Sequence, residues 1–147
     1  MRMCDVGFAL AERLLARFDL QLSKVPTGAV VPGSYWGDSE AGVIGSTVYA
    51  RDDTPVHSLL HEACHLIVLP AERRLAVHTN ATDSIEEEDA TCYLQIVLAD
   101  EIPGFSRARQ MADMDAWGYS FRLGSTRAWF EHDASEAQTF LRARGLL

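Results

Sequence analysis

Apolar residues recur at helical spacing through the middle of the chain. The stripe they form consists of Val56, Leu59, Leu60, Ala63 and Ile67. Thr54 or Asp53 is a suitable N-cap for such a helix, and Pro55 suits its first position. The pattern stops at Pro70, because the residue before a proline disfavours the helical conformation. A helix that begins near residue 55 and ends before residue 70 is therefore predicted.

Other patterns predict elements on both sides of this helix. Residues 43–50 are β-branched and apolar enough for a strand, which we expect at the edge of a sheet, where an extended substrate could pair with it. Residues 5–22 carry apolar side chains at every fourth position and predict an amphipathic packing helix. A second strong helix starts after Ser84, and its apolar residues continue to Ile102.

The remaining segments are a loop and a helical C-terminal third. Residues 26–38 are rich in Gly and Pro, which predicts a loop or hairpin region. Its Tyr35 and Trp36 are interpreted as core residues in preference to cleft aromatics. The helices predicted in the C-terminal third are 106–117, 126–132 and a last one that begins at Ser135 with a Ser135-x-x-Gln138 capping box and stops at Gly145.

Length and composition favour one small cytoplasmic domain. A chain of 147 residues predicts a single domain over 1–147. Three cysteines without a Cys-x-x-Cys spacing argue against disulfides and favour a reducing compartment. A net charge of -8 argues against nucleic-acid binding and against anionic membranes. We find no signal peptide or apolar run of membrane-spanning length, so no membrane partner is expected; the oligomeric state stays open.

The central helix carries an H-E-x-x-H motif, His61-Glu62-Ala63-Cys64-His65. The two histidines lie one helical turn apart, so their ring nitrogens can converge on one ion. Glu62 is placed to take a proton from a water that the metal activates and to return it to the leaving amine. The motif therefore predicts a hydrolytic Zn²⁺ site with His61 and His65 as ligands and Glu62 as the catalytic base.

A catalytic zinc site needs a third protein ligand and one position for water. The candidates are Glu86, Glu87 and Glu88, at the start of the second helix. Acidic residues in a first turn also suit the helix dipole, and Ser84 with Glu87 forms a capping box, so a purely structural role stays open. Beside the histidine motif, a ligand among the three glutamates is favoured. His78 is a further alternative and is otherwise a loop histidine.

These motifs resemble a known group of enzymes. A strand, an H-E-x-x-H helix and a second helix that opens Glu-x-x-Ala-x-x-Tyr are similar to the gluzincin metallopeptidases, and within them to the ImmA/IrrE-type family. The matching residues, within roughly 43–103, are His61, Glu62, His65, Glu87, Ala90 and Tyr93. The resemblance implies a zincin-like domain with Zn²⁺ held by His61, His65 and Glu87. It also implies a protein substrate, often a repressor or partner that regulates phage, mobile-element or stress genes.

The fold class that we expect is α+β. A short, mostly antiparallel sheet of about three strands packs on the H-E-x-x-H helix and the glutamate-bearing helix, with extra C-terminal helices. Zinc peptidases also need a group that stabilises the oxyanion of the tetrahedral intermediate. Tyr119 and His132 are the candidates for this catalytic role, and Arg122 is another. His132 with Asp133 is alternatively a pair that orients a ligand, or a helix end.

The function expected from these observations is that of a zinc metallopeptidase with a protein or peptide substrate. Two alternatives stay open. One is a catalytically silent metal-binding domain that recognises a protein partner, which a fourth protein ligand or a narrow cleft would favour. The other is a hydrolase of a small amide, which a closed pocket without an accessible edge strand would favour.

Overall fold

The computed structural model describes residues 1–147 as an α+β arrangement of eight helices and three short strands. The helices are α1 (Met3–Val6), α2 (Phe8–Ala16), α3 (Val56–Val68), α4 (Ala71–Arg74), α5 (Ile85–Ala99), α6 (Arg107–Ala116), α7 (Thr126–His132) and α8 (Ser135–Ala143). The strands are β1 (Gln21–Lys24), β2 (Gly42–Ile44) and β3 (Thr47–Ala50). The α+β class is as predicted. None of the helices is both long enough and apolar enough to cross a membrane.

The sheet is mixed rather than mostly antiparallel. Strand β3 lies in its centre, parallel to β1 and antiparallel to β2. Strands β2 and β3 form a hairpin with Gly45 and Ser46 at the turn, and Gly45 has a φ of 59°. Glycine adopts such a positive φ at little cost, which suits a two-residue hairpin turn. The single strand predicted over 43–50 is therefore a hairpin, and its second half is the central strand of the sheet.

The outer edge of β2 is covered by two irregular segments. The N–H of Val43 donates to the carbonyl of Gly33 at 3.2 Å, and the carbonyl of Val43 accepts from the N–H of Thr79 at 2.9 Å. The N–H of Gly45 donates to the carbonyl of Val77 at 2.9 Å. These groups are already paired, so β2 does not offer the free edge that was expected to bind an extended substrate.

Helix α3 lies between the sheet and α5. Its predicted apolar stripe is buried, and so is most of the rest of its surface, because both sides are covered. The N-cap is Pro55, whereas the hydroxyl of Thr54 accepts from the N–H of Arg51 at 2.9 Å within the preceding turn. The H-E-x-x-H motif therefore lies in the interior of a helix that is packed on two faces.

Helix α5 begins as its sequence indicates. The side chain of Ser84 accepts a hydrogen bond from the N–H of Glu87 at 3.2 Å, which confirms Ser84 as the N-cap. Along its length α5 packs on α3 and on α8. The hydroxyl of Tyr93 accepts from the amide of Gln138 at 2.7 Å and links α5 to α8.

The N-terminal segment differs from the single helix predicted over 5–22. Gly7, with a φ of 91°, separates α1 from α2, and α2 ends at Ala16. The chain then turns at Asp19, whose φ is 60°, and Gln21 enters β1. The apolar spacing thus describes α2, while the strand that follows pairs with β3 and was not predicted.

The C-terminal third agrees closely with the sequence pattern. Helices α6, α7 and α8 match the three predicted segments, and the hydroxyls of Ser106 and Ser125 cap the first two. The N-cap of α8 is Ala134 instead of Ser135, and Gln138 contacts Tyr93 instead of completing a capping box. The short helix α4 had no counterpart in the prediction.

Candidate metal centre

Two histidines of α3 and one glutamate of α5 meet between the helices. The Nε2 atoms of His61 and His65 are 3.0 Å apart. The carboxylate of Glu88 lies 3.4 Å from Nε2 of His61 and 3.2 Å from Nε2 of His65. One donor atom from each side chain lies within 4.8 Å of the others, and these three residues form the only such group in the protein. The group could hold a metal ion.

The spacing of the three donors fits a small, tetrahedrally bound cation. With ligand distances of 2.0–2.2 Å, two donors on a tetrahedral zinc ion are separated by about 3.4 Å. The observed separations of 3.0 to 3.4 Å are close to that value. Two imidazoles and one carboxylate are also the ligand types of hydrolytic zinc sites, and three protein ligands leave a position for water.

Burial keeps the two imidazoles neutral, which is the form that binds metals. It lowers the pKa of His65 to about 3, and the neighbouring His61 lowers it further in the same direction. Burial also lowers the pKa of His61, while Glu88 and Gln95 oppose this effect. The Nδ1 of His61 contacts the amide oxygen of Gln95 at 2.7 Å. Because that oxygen only accepts hydrogen bonds, the proton lies on Nδ1 and Nε2 keeps its lone pair.

The glutamate beside the histidines is Glu88, and Glu87, which the resemblance favoured, lies elsewhere. The carboxylate of Glu87 accepts hydrogen bonds from Arg73 at 2.5 and 3.1 Å and from the hydroxyl of Thr82 at 2.5 Å. The hydrogen bond from Arg73, followed by that from Thr82, lowers the pKa of Glu87 against the effect of burial. Arg73 belongs to α4, so this unpredicted helix binds Glu87 and the third-ligand assignment moves to Glu88, one of the three glutamates left open.

Glu62 lies on the wall of the cavity that adjoins the three donors. Burial, followed by repulsion from Glu88 and Glu40, raises the pKa of Glu62 to about 8. Its side chain makes no hydrogen bond or ion pair within the protein. Without a metal this pKa favours the protonated form of Glu62 at neutral pH, and a cation bound beside it would favour the carboxylate form that accepts a proton.

His61, His65 and Glu88 are called the metal group below. A cavity of about 810 Å³ opens above them. Tyr119 lines it, and its ring meets the ring of His61 edge to face with centroids 5.5 Å apart. Burial, and then nearby acidic groups, raise the pKa of the Tyr119 phenol, so the hydroxyl stays protonated and can donate. The structure thus brings Tyr119 to the site together with His61 and Glu62.

The aromatic pair that was interpreted as core lies on the rim of this cavity. Tyr35 is 65% exposed and Trp36 is 77% exposed, and both line the opening. Their rings meet edge to face at 4.9 Å between centroids. Trp117, half exposed, lines the same cavity. The loop over residues 34–40 therefore presents its aromatic side chains to solvent and to the cavity.

The other candidate residues lie outside the cavity. The side chain of His132 is 71% exposed and its nearest charged neighbour is Glu131. Arg122 is bound to Asp133 on the surface. His78 is exposed, with Nδ1 at 2.9 Å from the hydroxyl of Thr79. Of the residues proposed to stabilise an oxyanion, only Tyr119 is therefore near the metal group.

Two polar residues of the site were missed in the sequence. Gln95 is fully buried and contacts His61, and its Nε2 atom has no hydrogen-bond partner. His57 lines the cavity, is 4% exposed, and neither of its ring nitrogens has a partner. The signal for His57 was its position four residues before His61, on the same helix face.

Two of the three cysteines are buried residues near the site, and Cys4 is exposed. Cys64 and Cys92 carry free thiols and belong to the hydrophobic core. Burial raises the pKa of both thiols, and the acidic neighbours Glu88 and Asp89 raise that of Cys92 further. The sulfur of Cys92 lies 3.8 Å from the Glu88 carboxylate and is oriented to donate to it.

In comparisons with known proteins, no family model, no curated protein and no solved structure matched this chain.

Proposed function

We propose that this protein is a zinc-dependent hydrolase that cleaves peptide bonds. The observation that carries the proposal is the convergence of His61, His65 and Glu88 at one wall of a cavity that also contains Glu62. A bound Zn²⁺ would act there as a Lewis acid and lower the pKa of water. The donor set, its spacing and the neutrality of its imidazoles support this ion.

The side chains of the cavity divide the remaining chemistry between them. Glu62, which lines the cavity beside the donors, takes the proton from the attacking water and delivers it to the leaving nitrogen. The hydroxyl of Tyr119 donates a hydrogen bond to the carbonyl oxygen of the bond being cleaved as negative charge develops on that oxygen. Gln95 fixes the proton of His61 on Nδ1 and so orients the Nε2 lone pair toward the site.

A peptide substrate needs a binding surface other than the covered edge of β2. The segment 79–81 lines the cavity, and the N–H and C=O of Ala81 make no hydrogen bond within the protein. These groups can pair with the main chain of an extended peptide next to the metal donors. The size of the cavity and its open rim support a substrate of several residues.

The resemblance to gluzincin peptidases supports the proposal through one motif. H-E-x-x-H is retained in full, whereas the Glu-x-x-Ala-x-x-Tyr match begins at Glu87, which binds Arg73. With Glu88 as the ligand, the second match no longer includes the ligand residue. The ImmA/IrrE-type substrates are therefore not carried over to this chain.

Metal content measured by elemental analysis tests the site. We expect one zinc per chain in the wild type and in Glu62→Gln, and loss of zinc in Glu88→Ala. Glu87→Ala and Glu86→Ala are matched controls that remove a neighbouring carboxylate of the same helix turn and should keep the metal. A wild type without zinc after supplementation, or zinc retained in Glu88→Ala, contradicts the site.

A second candidate function is hydrolysis of a small amide. The covered edge of β2 favours it, because main-chain pairing with a long peptide is not available there. The two candidate functions are distinguished by incubating the zinc-loaded protein with a mixture of peptides and, separately, with short acylated amino acids. Mass spectrometry then identifies the cleavage products. Cleavage confined to single-residue amides supports the second function and contradicts the first.

A further inference from the structure

The cavity above the metal group is lined by carboxylates but by no lysine or arginine. Its acidic lining residues are Asp38, Glu40, Glu62 and Glu88. Glu62 and Glu88 are accounted for by the proposed chemistry and metal binding. Asp38 and Glu40 remain, and neither makes a hydrogen bond or an ion pair through its side chain. The negative charge that a bound metal ion would not balance therefore lies at Asp38 and Glu40, on the loop over residues 34–40.

The nearby cation Arg51 does not neutralise these two carboxylates. Its guanidinium donates two hydrogen bonds of 2.8 Å to Asp53 and one of 2.8 Å to the carbonyl of Ala29. Partial burial, and then Asp38, raise the pKa of Glu40. Arg51 is close enough to attract Asp38 but is paired with Asp53, so the repulsion between Asp38 and Glu40 is only partly offset within the protein. A cationic group placed between the two carboxylates would offset it further.

Aromatic rings accompany the carboxylates at the opening. Tyr35, Trp36 and Trp117 are at least half exposed and line the same cavity. Exposed tryptophan and tyrosine faces attract ammonium and guanidinium groups through their quadrupoles. They also offer apolar area for the methylene groups of a long basic side chain.

An unpartnered buried group in the same wall points independently to a ligand. His57 is 4% exposed, and both of its ring nitrogens lack a hydrogen-bond partner. Its ring packs against Trp117 with centroids 5.0 Å apart. Buried polar groups are normally paired, and the neutral imidazole of His57 can accept a hydrogen bond from an N–H donor once the half-exposed Trp117 ring moves to admit it.

We propose that the cavity selects peptides with a lysine or arginine side chain close to the bond that is cleaved, and that Asp38, Glu40 and the aromatic rim hold this side chain. This inference rests on the proposed function, since it names the substrate class of the same site. The basic side chain lies between the two carboxylates of the 34–40 loop, against Trp36 and Trp117. Acidic peptides are repelled by the same groups.

Binding to the metal-loaded Glu62→Gln protein separates selection from cleavage. The probes are hexapeptides with capped ends that carry lysine, norleucine or glutamate at one central position, and the readout is calorimetry. Norleucine matches the length and apolar stem of lysine without its charge. We expect the lysine peptide to bind about tenfold tighter than the norleucine peptide, and the glutamate peptide to bind weakest.

Two kinds of variant test the assigned residues. Asp38→Asn with Glu40→Gln should reduce the preference for lysine to below about threefold, and Trp36→Leu should reduce it in part. Glu12→Gln is the matched control, because it removes an exposed carboxylate of α2 that makes no ion pair and lies outside the cavity. Higher ionic strength should also lower the preference of the unsubstituted protein for the lysine peptide, because salt screens the attraction between charges. This test needs no substitution in the rim.

The outcomes for selection and for catalysis are distinguishable. Four results would overturn the proposed selection. Three concern binding: equal binding of the lysine and norleucine peptides, tighter binding of the glutamate peptide, and no binding of any peptide. The fourth is a preference for lysine that the paired Asp38 and Glu40 substitutions leave unchanged. Selective binding without cleavage by the wild type supports selection and contradicts hydrolysis. Cleavage without a preference for basic residues supports hydrolysis and contradicts selection.

Discussion

The Nδ1 atom of His61 donates a hydrogen bond to the buried side-chain oxygen of Gln95 at 2.7 Å, across the interface of α3 and α5. The other ring nitrogen of His61, Nε2, lies 3.0 Å from Nε2 of His65 and 3.4 Å from the carboxylate of Glu88. The contact with Gln95 fixes the tautomer of His61, because the proton on Nδ1 leaves Nε2 free. The orientation of the metal group therefore depends on a residue that is not itself a ligand.

Replacement of Gln95 should weaken metal binding. Gln95→Met keeps the volume of the side chain but removes the acceptor, so we expect the zinc affinity to fall about 10- to 100-fold. Gln110→Met is the matched control, because Gln110 is equally buried and lies on α6 away from the donors. Competition with a chelator of known affinity measures the effect. Equal affinities for the Gln95 variant and the wild type would contradict the positioning role.

Tyr119 should contribute to turnover more than to binding. Removing its hydroxyl in Tyr119→Phe leaves the ring against His61 but takes away the donor for the developing oxyanion. We expect kcat to fall about 100-fold with little change in KM, as for other single oxyanion donors. His132→Phe, at an exposed position, serves as the comparison and should keep wild-type kcat. Wild-type kcat in Tyr119→Phe would show that the hydroxyl does not stabilise the oxyanion.

Buried His57 should make the metal-free protein sensitive to acid. Burial, opposed in part by Asp113, lowers the pKa of His57 to about 4 from its ordinary value of 6.5. Between these values the unfolded chain binds a proton that the folded chain does not, so stability is lost as the pH falls from 6.5 toward 4. Urea unfolding with a chelator present should show that His57→Phe loses about 1 to 2 kcal/mol less between pH 7 and pH 5 than the wild type.

The comparison of the wild type with His57→Phe also tests whether the pKa of His57 is lowered in the folded protein. Contributions from His61 and His65 occur in both proteins and cancel in the difference. Parallel losses of stability in the wild type and in His57→Phe would mean that His57 gains its proton equally well in the folded and unfolded states.

Gly42 should not accept a side chain without displacement of its neighbours. A Cβ atom at Gly42 would lie 2.1 Å from the carbonyl oxygen of Pro32 and 2.5 Å from the N atom of Ser34, both backbone atoms. Gly42→Ala therefore displaces the start of the rim loop, and we expect a loss of about 1 to 3 kcal/mol in the free energy of unfolding.

Gly28→Ala is a suitable comparison for this prediction. Gly28 has a φ of 79°, but a Cβ there would meet no atom within 4 Å. Its substitution should cost only the strain of the left-handed conformation, about 1 kcal/mol. Chemical denaturation of the two variants gives the order, and an Ala at residue 42 that is tolerated better than one at residue 28 would show that the loop is not held as described.

The parts of the site that follow from local pattern were predicted, and those that depend on neighbouring elements were not. His61, Glu62 and His65 share one helix, so their relative positions follow from its period. Glu87 and Glu88 point in directions about 100° apart on α5, and the sequence does not say which direction faces α3. The choice depends on Arg73 of α4, a four-residue helix without a clear sequence signal.

The strand prediction failed for a similar reason. Residues 43–50 have the composition of one strand, but Gly45 permits a turn in the middle. The dipeptide Gly45-Ser46 was an available hairpin signal. Pairing of β1 with β3 is a long-range contact between short segments, and the modest strand character of Gln21–Lys24 gave no indication of it.

The proposed chemistry and the proposed selectivity reside in different parts of the chain. All three proposed metal donors belong to α3 and α5, whereas the rim comes from irregular segments around residues 34–40 and 117. Substitutions in the rim can therefore change which peptides are accepted without moving the donors. Relatives that share the two helices could diverge in substrate through these loops alone, and directed evolution of specificity should begin there.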